Sequence, residues 1–285
     1  MLRRITKVVP QNAIAAGQTA IYSLPLDRRY FKGILRYKTN ANRSTIESDI
    51  EQIRVIVNDV EQRRMKASEL LDINLIYGVP FSAGFLPLFF AEPWLRNLAN
   101  ENVTAWSMGD VSNFRIEVDI ASGATAPALE LSVEHDNPVD ENGSLPNIGN
   151  LVKYFRRPVG VTSIGQRDVL DLPRDQGRLK AIHLFEGSSG DVDQLTLEVD
   201  QLKISDTRNV GELERFLLSQ VSGDFDYGGH DSDVESLIMN PNGNMEDTLP
   251  LVKANGQRVS ELLLTANMTA ANDFVLIAEY FGQPA

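Results

Sequence analysis

The sequence of 285 residues contains no cysteine and only three histidines, His135, His183 and His230. Without cysteine, no disulfide, thiolate nucleophile or cysteine-ligated metal site is possible, and the redox compartment is left open. The histidines form no spaced pair of the kind that metal sites use. No apolar run approaches the roughly 18 residues of a membrane span. Residues 1–17 also lack the long apolar core of a secretory signal, so we expect none.

The charge is negative overall and unevenly distributed. A net charge of −12 disfavours general binding to nucleic acid, and we expect no sequence-specific nucleic-acid partner. Residues 1–66 carry 13 Lys/Arg and 6 Asp/Glu, whereas the rest carry 14 and 33, a net of −19. This asymmetry indicates either two solvated faces of opposite sign or an early segment turned toward an anionic surface.

The second half of the sequence repeats the first. The run AGQTAIYSLPLDRRYFKGILRY around Gly17 aligns with IGQRDVLDLPRDQGRLKAIHLF around Gly165, with seven identities in 22 positions. Average composition gives about one or two by chance. Leu24 and Leu172, and Lys32 and Lys180, keep the same offset of 148. We therefore predict two domains of like fold, at residues 1–137 and 150–285, joined by a polar linker at 138–149.

Alternating apolar residues predict short strands in both halves. The predicted strands are Ala20–Leu24, Phe31–Lys38 and Ile53–Val60, with Leu195–Ile204 in the second half. Met65, Leu70, Ile73 and Tyr77 lie near helical spacing, which predicts a helix that ends at Gly78. Asn209 with Glu212 resembles the start of a matching helix in the second half.

The two copies are also predicted to end alike. Leu86-Pro87-Leu88 is aligned with Leu249-Pro250-Leu251, and the strand Asn113–Ile120 with the strand Asp273–Tyr280, with Phe114 against Phe274. Met108 is aligned with Met268. The prolines favour edge or bulged strands. Many short strands with few helices predict an all-β fold of two tandem jelly-roll β-sandwiches, with short helices in loops.

Three stretches carry a resemblance to a known family: AGQTAIYSLPLDRRYFKGILRY, IRVIVNDVEQRRMKASELLDIN and FLPLFFAEPWL through NFRIEVDI. They are similar to the double jelly-roll major capsid proteins of tailless icosahedral, membrane-containing bacteriophages of the corticovirus kind. The resemblance implies a homotrimer, made in the host cytoplasm, that tiles the virion shell over an inner lipid membrane. Penton or minor capsid proteins and membrane lipids are the further partners that it implies.

Two sets of residues are candidates for binding. Arg3, Arg4 and Lys7 suit contact with anionic headgroups, or else belong to an ordinary basic terminus. In the run Asp224–Glu235, Asp224, Asp226 and Glu235 occupy positions 1, 3 and 12 of a calcium loop, with Gly229 at position 6. Gly228 offers no ligand at position 5, so an acidic solvated loop is the alternative, and calcium is the only cofactor considered.

No set of nucleophile, base and orienting residue is present, so no catalytic role is expected. We expect Glu186–Asp191 to form a turn and His183 to be a packed histidine of an apolar strand. Glu117 and Asp119 are expected on the solvated face of a strand. The main hypothesis is a structural capsid protein. The alternatives are a secreted carbohydrate-binding or glycan-processing protein with tandem β-sandwiches, and a minor capsid or spike protein of the same type of virus.

Overall fold

The computed structural model describes residues 2–94, 98–208, 234–240 and 244–284. The chain divides into two compact units. The first comprises Met1–Lys153 with Gln283–Ala285, and the second comprises Tyr154–Gly282. Among the described helices, none has both the length and the apolar character that a membrane crossing requires.

The first unit contains one five-stranded and one four-stranded antiparallel sheet. Its strands are β1 (Arg4–Val8), β2 (Thr19–Ser23), β3 (Arg29–Tyr37), β4 (Ile50–Val57), β5 (Val60–Met65), β6 (Phe85–Phe89), β7 (Trp106–Ser107), β8 (Phe114–Ile120) and β9 (Leu129–Asp136). One sheet has the order β1-β9-β3-β6, and the short β7 also pairs with β3. The other has the order β2-β8-β4-β5. The helices are α1 (Arg43–Asp49), α2 (Ala67–Ile76) and α3 (Leu98–Thr104).

The second set of strands repeats this arrangement. It consists of β10 (Leu151–Val159), β11 (Gly165–Val169), β12 (Arg178–Phe185), β13 (Val192–Val199), β14 (Leu202–Arg208), β15 (Val234–Ile238), β16 (Leu249–Pro250), β17 (Leu262–Met268) and β18 (Phe274–Gly282). A short 3-10 helix spans Met245–Asp247. The sheets have the orders β10-β18-β12-β15, with β16 on β12, and β11-β17-β13-β14.

Each strand of the first set has its counterpart nine strands later, because the orders 1-9-3-6 and 2-8-4-5 become 10-18-12-15 and 11-17-13-14. In each five-stranded sheet, the first and last strands of the copy lie side by side. Apart from the short β7 and β16, each copy has two sheets of four strands, which are the eight strands of a jelly roll. The prediction of two tandem jelly rolls with few helices is therefore confirmed.

Both copies contain a two-residue hairpin that the sequence analysis missed. Asn58 and Asp59 have φ of 50° and 64°, and Asp200 and Gln201 have 48° and 68°. Two consecutive positive φ angles are typical of type I′ turns. The predicted strand Leu195–Ile204 was therefore wrong, because it is the hairpin of β13 and β14. The predicted strand Ile53–Val60 was wrong at its end for the same reason, because β4 ends at Val57 and Val60 begins β5.

The helix predicted around Met65 begins later than expected. Met65 ends strand β5, and helix α2 begins at Ala67. The Glu69 carboxylate accepts a hydrogen bond from the Lys66 backbone N–H at 2.8 Å, which caps the first turn. Gly78 follows the helix with φ of 80°, so the predicted stop is confirmed. The corresponding helix predicted from Asn209 lies outside the described residues.

The predicted alignment of the last strands was wrong. Phe114–Ile120 is β8, whose counterpart is β17, whereas Phe274 opens β18, the counterpart of β9. Likewise Pro87 lies in β6, and Pro250 lies in β16, the counterpart of β7. Apolar residues alternate in the same way in all of these strands. A few identical residues were therefore enough to align strands that are not equivalent. The prediction of an edge strand at Pro87 is confirmed, since β6 ends its sheet.

The cores lie between the two sheets of each jelly roll. In the first, Ile53, Val55 and Val57 point inward and are fully buried, as their alternation predicted. In the second, one core cluster joins both sheets; its members include Leu179, Ile182, Leu184, Leu195, Leu197, Leu264, Ala266, Leu276 and Ala278. Burial of these side chains is the main source of stability for a sandwich.

Candidate assembly surfaces

The outer face of the β1-β9-β3-β6 sheet carries interleaved charges. Glu134 of β9 lies 3.0 Å from Lys32 of β3 and 3.5 Å from Arg3. Glu130 lies 2.6 Å from Lys7 of β1, and this ammonium lowers the pKa of Glu130. Strand alternation places these side chains on the face opposite the core. The face is thus largely neutralised within the unit.

Apolar residues on the same face remain exposed. Ile5 of β1 is paired with Glu134 in the ladder and is 67% exposed. Phe85 of β6 is paired with Arg36 and is 39% exposed. Since β1 and β6 are the two ends of the sheet, exposed apolar groups flank a central charged strip.

The three residues predicted to face a membrane lie on or just before strand β1. Arg3 donates two hydrogen bonds to Glu101, at 2.8 and 2.7 Å, and its guanidinium lies 3.8 Å from the Phe31 ring centroid. Lys7 is engaged by Glu130. Arg4 points to the other face, is exposed, and forms no ion pair with any residue in the described ranges. The membrane contact stays a prediction.

The counterpart face in the second unit is buried. Lys180 Nζ of β12 donates to Glu279 Oε2 of β18 at 2.5 Å, and both side chains are about 1% exposed. His183 lies 3.2 Å from Glu279 and 2.8 Å from Ser236 Oγ of β15. His183 is therefore a packed histidine, as its apolar strand indicated. The sequence analysis did not find this cluster, although a lysine inside an apolar run was a usable signal.

The strand pairing shows that Lys32 and Lys180 do not occupy equivalent positions but lie one residue apart. Lys32 is paired with Glu134, but Ala181 is paired with Glu279, and a bulge sets Lys180 beside that pair. The constant offset of 148 predicted that Lys32 and Lys180 are equivalent, and at this strand that prediction was wrong. Both lysines nevertheless reach the equivalent glutamate of the neighbouring strand.

The remaining acidic pairs serve the fold. Glu117 and Asp119 of β8 both contact Arg54, at 3.2 and 2.8 Å. In the predicted turn, Glu186 accepts hydrogen bonds from the backbone N–H groups of Asp191 and Val192 at 3.0 and 3.1 Å. Burial raises the pKa of Glu186. These carboxylates therefore stabilise strands and a loop of the fold.

The predicted calcium ligands are only partly described. Asp224 and Asp226 lie outside the described residues, and Glu235 lies in strand β15, paired with Leu184. A calcium loop of the helix-loop-helix type would instead lead into a helix. Within the described ranges, no group of three or more potential ligands is suited to a metal ion. Calcium binding therefore stays a prediction based on spacing.

Eight-stranded jelly rolls are an architecture that viral capsid proteins use, and this chain has two of them in tandem. The family models agree with this class. The viral coat protein P2 N-terminal domain matches residues 5–134, and the viral coat protein P2 C-terminal domain matches residues 151–284. The chain belongs to this family of viral coat proteins. Its role is structural and not enzymatic, and its place is the virion capsid.

Solved structures share the fold over the whole chain. The major capsid protein P2 from Bacteriophage PM2 has a TM-score of 0.83 at 20% identity, covering 100% of this chain and 98% of that one. A capsid protein of Sulfolobus Turreted Icosahedral Virus has a TM-score of 0.69 at 8% identity, covering 100% and 98%. A PBCV-1 virus capsid chain has 0.66 at 8% identity, covering 98% and 93%. No curated protein sequence matches the chain.

The family match decides between the hypotheses from sequence. The resemblance to double jelly-roll capsid proteins is confirmed, and the carbohydrate-binding or glycan-processing alternative is not favoured. A coat protein must contact copies of itself, so its function depends on surfaces that are exposed in the single chain.

Proposed function

We propose that the chain forms a homotrimer whose six jelly rolls make a pseudo-hexagonal capsomer, and that these capsomers tile an icosahedral shell. The observation that carries the proposal is the repeated strand order of the two jelly rolls. A threefold trimer of doubled domains presents six similar edges, so one protein can occupy near-hexagonal positions in a lattice. Closed symmetry of this kind is the rule for homo-oligomers.

The two counterpart sheet faces support self-association. In the second unit, Lys180, His183 and Glu279 on this face are buried. In the first unit, the corresponding face exposes Ile5 and Phe85 around a neutralised charged strip. We propose that a neighbouring copy covers this face in the trimer. Both counterpart faces would then be buried in the assembled capsomer.

Size-exclusion chromatography with light scattering on the purified chain tests the trimer. The expected species has a mass near three times 31.6 kDa. Ile5→Asp would place a carboxylate in the proposed interface beside Glu134 and should shift the population toward monomer. Val60→Asp, at an exposed apolar residue of the other sheet, is the matched control and should leave the trimer intact. A chain that stays monomeric at all concentrations would contradict the proposal.

We further propose that the shell lies over a lipid membrane, and that penton or minor capsid proteins complete it where the hexagonal tiling ends. The support is Arg4, an exposed cation that forms no ion pair within the described ranges and that suits an anionic surface. Vesicle co-sedimentation tests the lipid contact. Binding to phosphatidylglycerol vesicles that falls with added salt is expected, and equal binding to neutral vesicles would count against it.

Calcium remains part of the proposal through Asp224, Asp226 and Glu235. Carboxylate oxygens are the ligands that Ca²⁺ prefers, and the chain carries an excess of acidic groups. Titration calorimetry on the purified capsomer tests this directly, with Asp224→Asn as the binding variant and Asp247→Asn as a control outside the loop. The absence of heat at millimolar calcium would end the proposal.

A further inference from the structure

A cavity of about 320 Å³ opens beside the end of strand β1 in the first unit. It is lined by Leu2, Arg4, Asp27, Arg28, His135, Asp136, Asn137 and Val139. Its volume falls in the range of small-molecule sites. The wall combines β1, the end of β9 and the loop before β3, so it is built on paired strands.

Positive charge predominates in this cavity. Asp136 is neutralised by Arg29, which donates two hydrogen bonds to it at 3.0 and 2.6 Å. Asp27 accepts from Arg28 Nε at 2.7 Å, and its side chain is 68% exposed. Arg4 therefore adds a positive charge that no described carboxylate offsets.

The buried histidine of the cavity has a donor without an acceptor. His135 is 6% exposed, and its Nε2 lies 3.2 Å from Arg28 Nη1. The hydroxyl Oγ1 of Thr6 lies 3.1 Å from the same nitrogen and can donate as well. Because a guanidinium can only donate, Nε2 accepts and the ring proton lies on Nδ1. Nδ1 is buried and has no hydrogen-bond partner in the described part of the chain. Burial and the charge of Arg28 lower the pKa of His135, which keeps the ring neutral.

We propose that this cavity binds a phosphate-bearing anion through Arg4, Arg28 and His135. Guanidinium groups match phosphate oxygens in geometry and charge, and the ring supplies a further donor. The ligand could be a free phosphate group or the headgroup of a phospholipid. Leu2 and Val139 on the rim are 77% and 45% exposed, and they would contact acyl chains only in the second case.

NMR of the full-length protein with labelled histidines and added inorganic phosphate tests the site. The bound anion offsets the repulsion between Arg28 and the imidazolium, so the pKa of His135 should rise, while the signals of the buried His183 should not change. Arg4→Gln and Arg28→Gln should each weaken phosphate binding by about tenfold or more, since each removes a charge-assisted contact. Lys7→Gln, on the opposite face of the same strand, is the matched control and should bind as the parent does.

Vesicles of phosphatidylglycerol distinguish the two sources of the phosphate group. If the ligand is a headgroup, Leu2→Ser should weaken vesicle binding and leave the binding of inorganic phosphate unchanged. If the ligand is a free anion, phosphate binds but Arg4→Gln does not alter vesicle binding. An unchanged His135 signal at high millimolar phosphate, or phosphate binding that Arg4→Gln and Arg28→Gln leave intact, would overturn the site. The result does not depend on whether the chain forms a trimer.

Discussion

Lys180 and Glu279 form an ion pair 2.5 Å long between neighbouring strands of the second jelly roll, with both side chains almost fully buried. The corresponding pair of the first jelly roll, Lys32 and Glu134, is 3.0 Å long and partly exposed. A buried pair depends on both partners, because one buried charge without its counter-charge is strongly unfavourable. An exposed pair contributes little, because water solvates either partner when the other is lost.

Lys180→Met should therefore lower the free energy of unfolding by about 3–5 kcal/mol, whereas Lys32→Met should cost about 1 kcal/mol or less. Urea titration of both variants measures the difference. The double variant Lys180→Met/Glu279→Met should recover part of the loss, because it removes both charges together. Equal effects of the two single lysine variants would show that burial of the pair does not matter.

The pH dependence of stability should report on Glu279. Burial alone raises the pKa of Glu279, but Lys180 and His183 outweigh it and hold the pKa well below its usual value of 4.5. Below pH 4.5 the unfolded chain takes up a proton at this position while the folded chain does not. The stabilisation from Glu279 is thus complete above that pH and is lost as the pH falls toward the folded-state pKa.

Glu279→Gln should remove this contribution, of about 1.4 kcal/mol per pH unit, from the acid side of the stability profile. Urea unfolding of parent and variant at about pH 5.5 and about pH 3.5 gives the slopes. The other carboxylates with lowered pKa are common to both proteins and cancel in the comparison. Parallel profiles would contradict the assignment of a depressed pKa to Glu279.

The backbone of the loop before strand β12 lies very close to the backbone of strand β18. Gly177 has φ of 103°, and a Cβ there would overlap the carbonyl oxygen of Phe281 in β18. Gly190 also has positive φ, at 80°, but a Cβ there would meet no atom within 4 Å. Gly177→Ala should cost about 2–5 kcal/mol, from strain and overlap together, against about 1–2 kcal/mol for Gly190→Ala. Thermal unfolding of both variants gives the comparison, and a smaller loss at Gly177 would refute the close approach.

Chelators and low ionic strength should loosen assembled shells. Residues 67–285 carry a net charge of −19, so neighbouring copies repel each other when screening is weak. Light scattering of particles at low salt with a calcium chelator should show release of capsomers, and restored calcium or salt should prevent it. Particles that are indifferent to both treatments would exclude cation bridging between the subunits.

The duplication could be predicted from sequence because some positions in both copies have the same backbone requirement. Gly17 and Gly165 both have positive φ, at 71° and 104°, just before or at the start of counterpart strands β2 and β11. Leu24 and Leu172 are both buried. The hairpins at Asn58-Asp59 and Asp200-Gln201 were also within reach, since Asn and Asp tolerate positive φ.

The pairing of strands could not be predicted from local patterns alone. Pro87 and Pro250 lie in similar apolar runs, but their strands pair with different parts of β3 and β12. Only the residues that they pair with across the sheet show this difference. The lysine-glutamate pair at Lys180 depends on a bulge that brings residues 99 positions apart together. The cavity proposed to bind phosphate is likewise formed by residues that are far apart in sequence, from strand β1 and from the loop before β3. No linear sequence motif predicts it.

The most direct test of a duplicated coat protein is the number of chains in each hexagonal tile of the assembled shell. Native mass spectrometry of released capsomers, together with electron microscopy of their outline, gives that number. The account predicts three chains of 31.6 kDa, with six jelly rolls, in each six-sided capsomer. Six chains in each six-sided capsomer would contradict it, because each chain would then occupy one position instead of two.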